Sequence, residues 1–201
     1  MSLLKLLKSE AVKRGLVDPG QDIDARLAFI LVRDMPYQRA SDRKPETTIA
    51  EWRGTCSGKH YLLHKLFEEL GLPSKIIACT SISPVNPGEI TPDMQPWYEA
   101  SNRRFVDVHN YLLVSIPGGK EMLVDATWPL STKKYDMVVN EEFILGQDQA
   151  LATKPIESWV VPPDEDAQAF KDQLLIEHFT PEELQFREVV IEALSEQTRK
   201  T

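Results

Sequence analysis

Apolar and polar positions follow two rhythms along this chain, and their order sets the first expectation of a fold. Residues 2–14 and 21–34 space apolar side chains three and four apart, as amphipathic helices do, with a "DPG" turn signal between them. Residues 35–51 are polar, carry Pro36 and Pro45, and read as a loop. Residues 56–70 give the clearest helix, stopped by Gly71 and Pro73. "KIIACTSIS" (75–83) is rich in β-branched residues and reads as a strand, and "PVNPGEITPDMQP" (84–96) as a proline-rich loop. "FVDVHNYLLVSI" (105–116), "PGGK" and "EMLVDATW" (121–128) read as a hairpin, and "SWVVPPDED" as an edge strand. "TPEELQFREVVIEALSEQ" (180–197) is a helix with Thr180 as N-cap, Pro181 in the first position and Glu183 closing a capping box. Helices, then one long helix, then a hairpin-containing run of strands, then a helix predict an α+β fold with an antiparallel sheet.

A length of 201 residues suits one domain. The expected division is a core over about 35–145, a helical N-terminal part over 1–34 and a C-terminal helical extension over about 164–201. A net charge of −8 disfavours a nucleic-acid or anionic-membrane partner. No apolar run approaches the roughly 18 residues of a membrane span, and the first residues are too charged for a signal peptide. Two cysteines make no disulfide framework. These features together predict a soluble cytoplasmic protein, in a compartment where a free thiol survives.

One of those thiols stands where the long helix begins. On a helical wheel that sets Cys56 at 0°, Leu62, Leu63, Leu66, Phe67 and Leu70 fall between about 240° and 20°, with Tyr61, Lys65, Glu68 and Glu69 on the other side. Cys56 is thus in the first turn at the rim of the buried face. The unpaired first-turn N–H groups, Arg53 and Lys59 are the features expected to favour its thiolate. Cys79, inside "IIACT" with no charge near it in sequence, reads as a packed core residue.

A thiol nucleophile needs an imidazole, and the imidazole needs a group to orient it. His178 lies among carboxylates and reads as a surface or capping residue. His60 shares the helix of Cys56 but drifts off its buried face. His109 lies in the first strand of the hairpin and Asp125 in the second, almost centred on the Pro-Gly-Gly turn, which puts them nearly opposite each other. Asp107, two residues before His109, is the rival orienter.

"GTCSGKHYLLHKLFEELGLPSK" and "HNYLLVSIPGGKEMLVDATW" resemble two blocks of the transglutaminase-like superfamily. In that family Gly-x-Cys opens a long helix, and a strand histidine is followed by a turn and Asp-x-Thr-Trp. The resemblance covers roughly residues 50–130. It implies a papain-like core in which a Cys-bearing helix packs on an antiparallel sheet, with Cys56 as nucleophile, His109 as general base and acid, and Asp125 as orienting carboxylate. Members include transglutaminases, proteases, peptide-N-glycanases and, more distantly, arylamine N-acetyltransferases. "RGTC" departs from the acetyltransferase Arg-Gly-Gly-x-Cys at Thr55, and Tyr111 replaces the usual tryptophan.

The remaining motifs change the picture little. Cys56, His60 and His64 are four apart, but Tyr61 stands where a metalloprotease helix has its glutamate, and no metal is expected. "PGGK" is a hairpin turn rather than a phosphate loop, and no cofactor is expected. Trp97 and Tyr98, at the end of the proline-rich loop, are candidate substrate contacts. The expected chemistry is attack of Cys56 on an amide carbonyl of a peptide or small molecule, with a thioester intermediate. The backbone N–H of Cys56 is one oxyanion donor, and Gln38 or Trp52 is the candidate second. Hydrolysis is favoured, since no motif points to an acyl-donor cofactor. Acyl transfer to an amine and a non-catalytic binding module of the same fold are the alternatives.

Overall fold

Leu62, Leu63, Leu66 and Phe67 recur at helical spacing and are all fully buried, and around them the chain assembles. The computed structural model describes residues 2–199. They form seven α-helices: α1 (Leu3–Lys13), α2 (Ala25–Arg33), α3 (Pro45–Glu51), α4 (Cys56–Glu69), α5 (Gln95–Ala100), α6 (Ala167–His178) and α7 (Pro181–Arg199). Four strands, β1 (Ser74–Pro84), β2 (Arg104–Ile116), β3 (Lys120–Val124) and β4 (Ser158–Val160), make one sheet in the order β3-β2-β1-β4. Every pairing is antiparallel. The fold is α+β, with the cysteine-bearing helix α4 packed on β2 and β1 and flanked by helices from both ends of the chain.

The helix ends follow local chemistry. Asp24 caps α2 by accepting from the Leu27 N–H at 2.7 Å. The capping box of α7 forms, with the Thr180 N–H donating to Glu183 and the Glu183 N–H to the Thr180 hydroxyl. Two short helices interrupt stretches that read as loops. Pro45 occupies the first turn of α3 within 35–51, and Pro96 that of α5 at the end of 84–96. In both, a proline that looked like a breaker serves as a helix start.

The largest core joins α1, α2, α4, β2 and β3 through residues such as Leu7, Phe29, Leu66, Leu112 and Val124. A smaller cluster, built on Ala78, Val108, Val161, Leu174 and Leu175, seats α6 on the sheet. Helix α4 is enclosed on nearly all sides over its first two turns, and every residue from Cys56 to Leu63 is buried. Tyr61, expected on the solvent side, instead donates its phenol to the Ala167 carbonyl at the start of α6 (2.9 Å).

The hairpin register differs from the expected one. Leu112 pairs with Val124 and Ile116 with Lys120, and the ladder ends at Val124 rather than near Trp128. Continuing it would set Asp125 opposite Tyr111. That is two residues from His109 and on the same strand face, so His109 and Asp125 meet diagonally.

Because Leu66 is fully buried in the main core, Leu66→Ala is expected to lower the unfolding free energy by about 2–5 kcal/mol. Urea denaturation followed by circular dichroism measures it.

Candidate active site

Cys56 is the first residue of α4, and Thr55 before it provides no side-chain cap, so no side chain takes up the first-turn N–H groups. The thiol is 2% exposed. The imidazole of His109 lies near enough to favour its thiolate, and His109 Nε2 donates to Asp125 Oδ2 at 2.8 Å, leaving Nδ1 as the nitrogen for sulfur. Asp107, the rival, is engaged by Arg187 instead, whose Nε donates to its Oδ1 at 2.7 Å.

Asp125 is fixed by a segment that carries no motif. Its Oδ2 also accepts from the Ala152 N–H (2.8 Å) and its Oδ1 from the Thr127 N–H (3.0 Å). Its backbone N–H donates to Gln149 and its carbonyl accepts from Asn140. Residues 140–152 therefore brace the carboxylate just past the point where β3 ends. His60, fully buried, ties this brace to the helix. Its Nδ1 donates to the Cys56 carbonyl (2.7 Å) and its Nε2 accepts from the Ala126 N–H (2.9 Å). Both ring nitrogens are thus engaged by backbone. Burial holds this ring neutral, down to about 4, although Asp125 pulls the other way. His64 bonds Ser74 and faces Glu68.

The cations near sulfur are not those the sequence pointed to. Arg53 is paired with Glu51 at 2.5 Å. Lys59 is fully buried and donates to the carbonyls of Arg33 and Thr127, while burial disfavours its charge and lowers its ammonium to about 7. The dominant cation is Lys171 of α6, whose Nζ lies 3.6 Å from Cys56 Sγ and 3.0 Å from Ser57 Oγ. Lys171, Arg187 and Lys59 share a sequence signal. Each is a cation on an apolar helical stripe, Lys171 with Leu174 and Leu175, Arg187 with Leu184 and Ile191, and Lys59 with Leu62 and Leu63.

Several candidate positions sit elsewhere. The Trp52 ring belongs to the main core with the Arg14 guanidinium 5.0 Å above it. Gln38 is half-buried, and its backbone N–H turns back to Pro36. Its neighbour Tyr37 is buried, stacks near Trp128 at 4.4 Å, and has its phenol held in the neutral form by burial and by the charge of Cys56. Trp97 is exposed, and Tyr98 is buried against Phe186 of α7 rather than lining a cleft. Cys79 is fully buried, as expected, but pairs in register with His109, so charge is close by. Burial and the neighbouring anions push its thiol up to about 12.

Electrostatics set the protonation of the group. Burial alone would raise the Cys56 thiol, but Lys171 and the neighbouring His109 outweigh it and bring it to about 6. Burial opposes charge on His109, yet Asp125 and Cys56 raise the imidazolium to about 10. The Asp125 carboxyl is held well below its usual range, with His109 overcoming burial. Both shifts favour a thiolate–imidazolium pair over a neutral one between about pH 6 and 10.

No family model matches this chain, and no curated protein matches it. Among solved structures it is similar to one described as a "putative cysteine protease" from Cytophaga hutchinsonii. That likeness covers 81% of this chain and 53% of the other, at 17% identity and a TM-score of 0.36. The chain thus spans about half the length of that protein. Among the described residues no helix is long and apolar enough to cross a membrane.

The pair has a pH signature. The difference in thiolate absorbance near 240 nm between the parent and Cys56→Ala is expected to titrate with a midpoint near 6 rather than the ordinary 8.5 or so. The stability that the thiolate adds is complete above about pH 8.5 and lost as pH falls through 6. That from the imidazolium is complete below about 6.5 and lost as pH rises through 10. Melting curves of the parent should therefore weaken at both ends relative to those of Cys56→Ala.

Proposed function

We propose that this chain is a thiol enzyme that cleaves an amide or related acyl bond through Cys56, His109 and Asp125. The observation that carries the reading is the His109–Asp125 hydrogen bond (2.8 Å) set beside the thiol at the start of α4, with the imidazole close enough to Cys56 to favour its thiolate. It joins a nucleophile, a proton carrier and an orienting carboxylate.

The Cys56 thiolate adds to the carbonyl carbon, and the electron pair moves to oxygen. The backbone N–H of Cys56, at the positive end of α4, receives that oxyanion, and the Tyr37 phenol takes the place first assigned to Gln38 or Trp52 as second donor. His109 gives its Nδ1 proton to the leaving amine as the carbon–nitrogen bond breaks, leaving a thioester and a neutral imidazole. Water then loses a proton to His109, attacks the thioester and releases the acid, which restores the thiolate and imidazolium. Asp125 keeps its negative charge throughout and holds the ring in place.

Acyl transfer to an amine is the second reading. It is favoured by the ammonium of Lys171 against sulfur, since a primary amine fits where an acceptor would stand.

Incubation with peptide amides, aryl esters and acyl thioesters is expected to leave an acyl mass adduct on Cys56 alone, with turnover abolished in Cys56→Ala. His109→Ala should lower the rate by a comparable factor, on the order of 10²–10⁴ or more, because the members act as a unit. Asp125→Asn should retain a residual rate. If no donor of any class leaves an adduct, the proposal fails.

A further inference from the structure

Nothing reaches the sulfur of Cys56 in this structure. Cys56 is 2% exposed, His109 4% and Lys171 3%, and the Lys171 ammonium is seated directly on the thiol. A reacting carbonyl needs to approach within about 3–3.5 Å of sulfur, which is the space the lysine fills.

The residues that fill it also serve Asp107, a buried carboxylate the mechanism leaves unused. Asp107 lies two residues before His109, on the same side of β2. Among the described residues, both cations within salt-bridge range of it come from the C-terminal helices. Arg187 of α7 lies 2.7 Å from Oδ1 and Lys171 of α6 lies 3.8 Å from the same oxygen. His109 also faces this carboxylate electrostatically, and Tyr37 senses its charge.

Helices α6 and α7 are attached differently from the rest of the molecule. The main core contains no side chain from either. The small cluster around Leu174 and Leu175 seats α6, and Phe186 seats α7 against Tyr98. Leu184 of α7 packs on the same small cluster and Ile191 is buried, and polar contacts complete the attachment. Tyr61 donates to the Ala167 carbonyl, Arg104 pairs with Glu183, Arg39 pairs with Glu188 at 2.6 Å, and Thr198 donates to the Tyr37 carbonyl. A helix pair that contributes no side chain to the main core can separate from the sheet without opening that core.

We propose that α6 and α7 are an internal pseudosubstrate cover: Lys171 and Arg187 fill an acidic subsite, Asp107, beside Cys56, and the open form takes a ligand carrying an amine or guanidinium there. For that ligand to be a substrate, the inference rests on the thiol-enzyme reading above. When the cover lifts, Asp107 loses both helix-borne cations at once. A carboxylate left unpaired in a largely buried site is costly, and a ligand cation removes that cost. An apolar or anionic group does not, so the same carboxylate that latches the cover selects the ligand.

Thiol labelling of the full chain tests this without any need for catalysis. The probes are 2-aminoethyl methanethiosulfonate and its anionic 2-sulfonatoethyl counterpart, with peptide mapping to separate Cys56 from Cys79. Combining Arg39→Ala with Arg104→Ala loosens the rim of α7 and is expected to speed Cys56 labelling about tenfold with either probe. Cys79 should stay unlabelled and the melting temperature within a few degrees. In the loosened protein the cationic probe should gain about tenfold over the anionic one, relative to their ratio with free cysteine, and adding Asp107→Asn should erase that gain. An unchanged labelling rate, labelling of Cys79 in step with Cys56, or no charge preference would overturn the proposal. Charge-selective labelling without any acyl adduct would leave the cover standing and remove the enzyme. Acyl adducts forming equally fast in parent and loosened proteins would remove the cover and leave the enzyme.

Discussion

The hydrogen bond between His109 Nε2 and Asp125 is the constraint on which the rest of the site depends. It fixes which ring nitrogen is left for sulfur. It is made where β3 has ended, so the sheet alone does not hold it. Two further devices supply what the ladder does not. Residues 140–152 surround Asp125 with hydrogen-bond donors and an acceptor, and His60 links the Cys56 carbonyl to the Ala126 N–H. Helix α4 and the end of β3 are thereby locked in one register, and the thiol is presented to the free nitrogen.

Buried charge is the second theme. Lys59, Lys171 and Arg187 are each less than a tenth exposed. Their roles differ. Lys59 satisfies two carbonyls, at the end of α2 and just after Asp125, and so belongs to the scaffold. Lys171 and Arg187 instead meet the thiol and Asp107. A buried ion pair adds little net stability over an apolar contact, yet removing one partner alone is strongly destabilising, by about 3–5 kcal/mol. Such pairs suit contacts that specify one arrangement of the site, closed or occupied, better than contacts that merely hold the fold.

Most of the architecture was legible from periodicity. The helix of Cys56, the β1 strand, the hairpin and the capped last helix follow directly from apolar spacing, turn glycines and the Thr180–Glu183 box. What periodicity missed has physical causes. The short helices α3 and α5 hide behind prolines that start helices as readily as they end them. The register slipped by a two-residue step, which keeps the same face, so the pairing of His109 with Asp125 survived the error. Nearness in sequence points to Arg53 and Lys59 as the cations near sulfur. The one that matters lies over a hundred residues away, and only its place on an apolar stripe betrays it. Tyr61 was misplaced for the same reason, because the wheel of one helix cannot show what a distant helix brings to its far side.

The central claim is that Cys56 and His109 exist as a thiolate–imidazolium pair fixed by Asp125. Nitrogen NMR of the His109 ring in the full-length protein at pH 8 tests it most directly, since that pH lies between the values of about 6 and 10 that bracket the pair. The account predicts that both ring nitrogens carry protons. A neutral ring with one unprotonated nitrogen at that pH would contradict it.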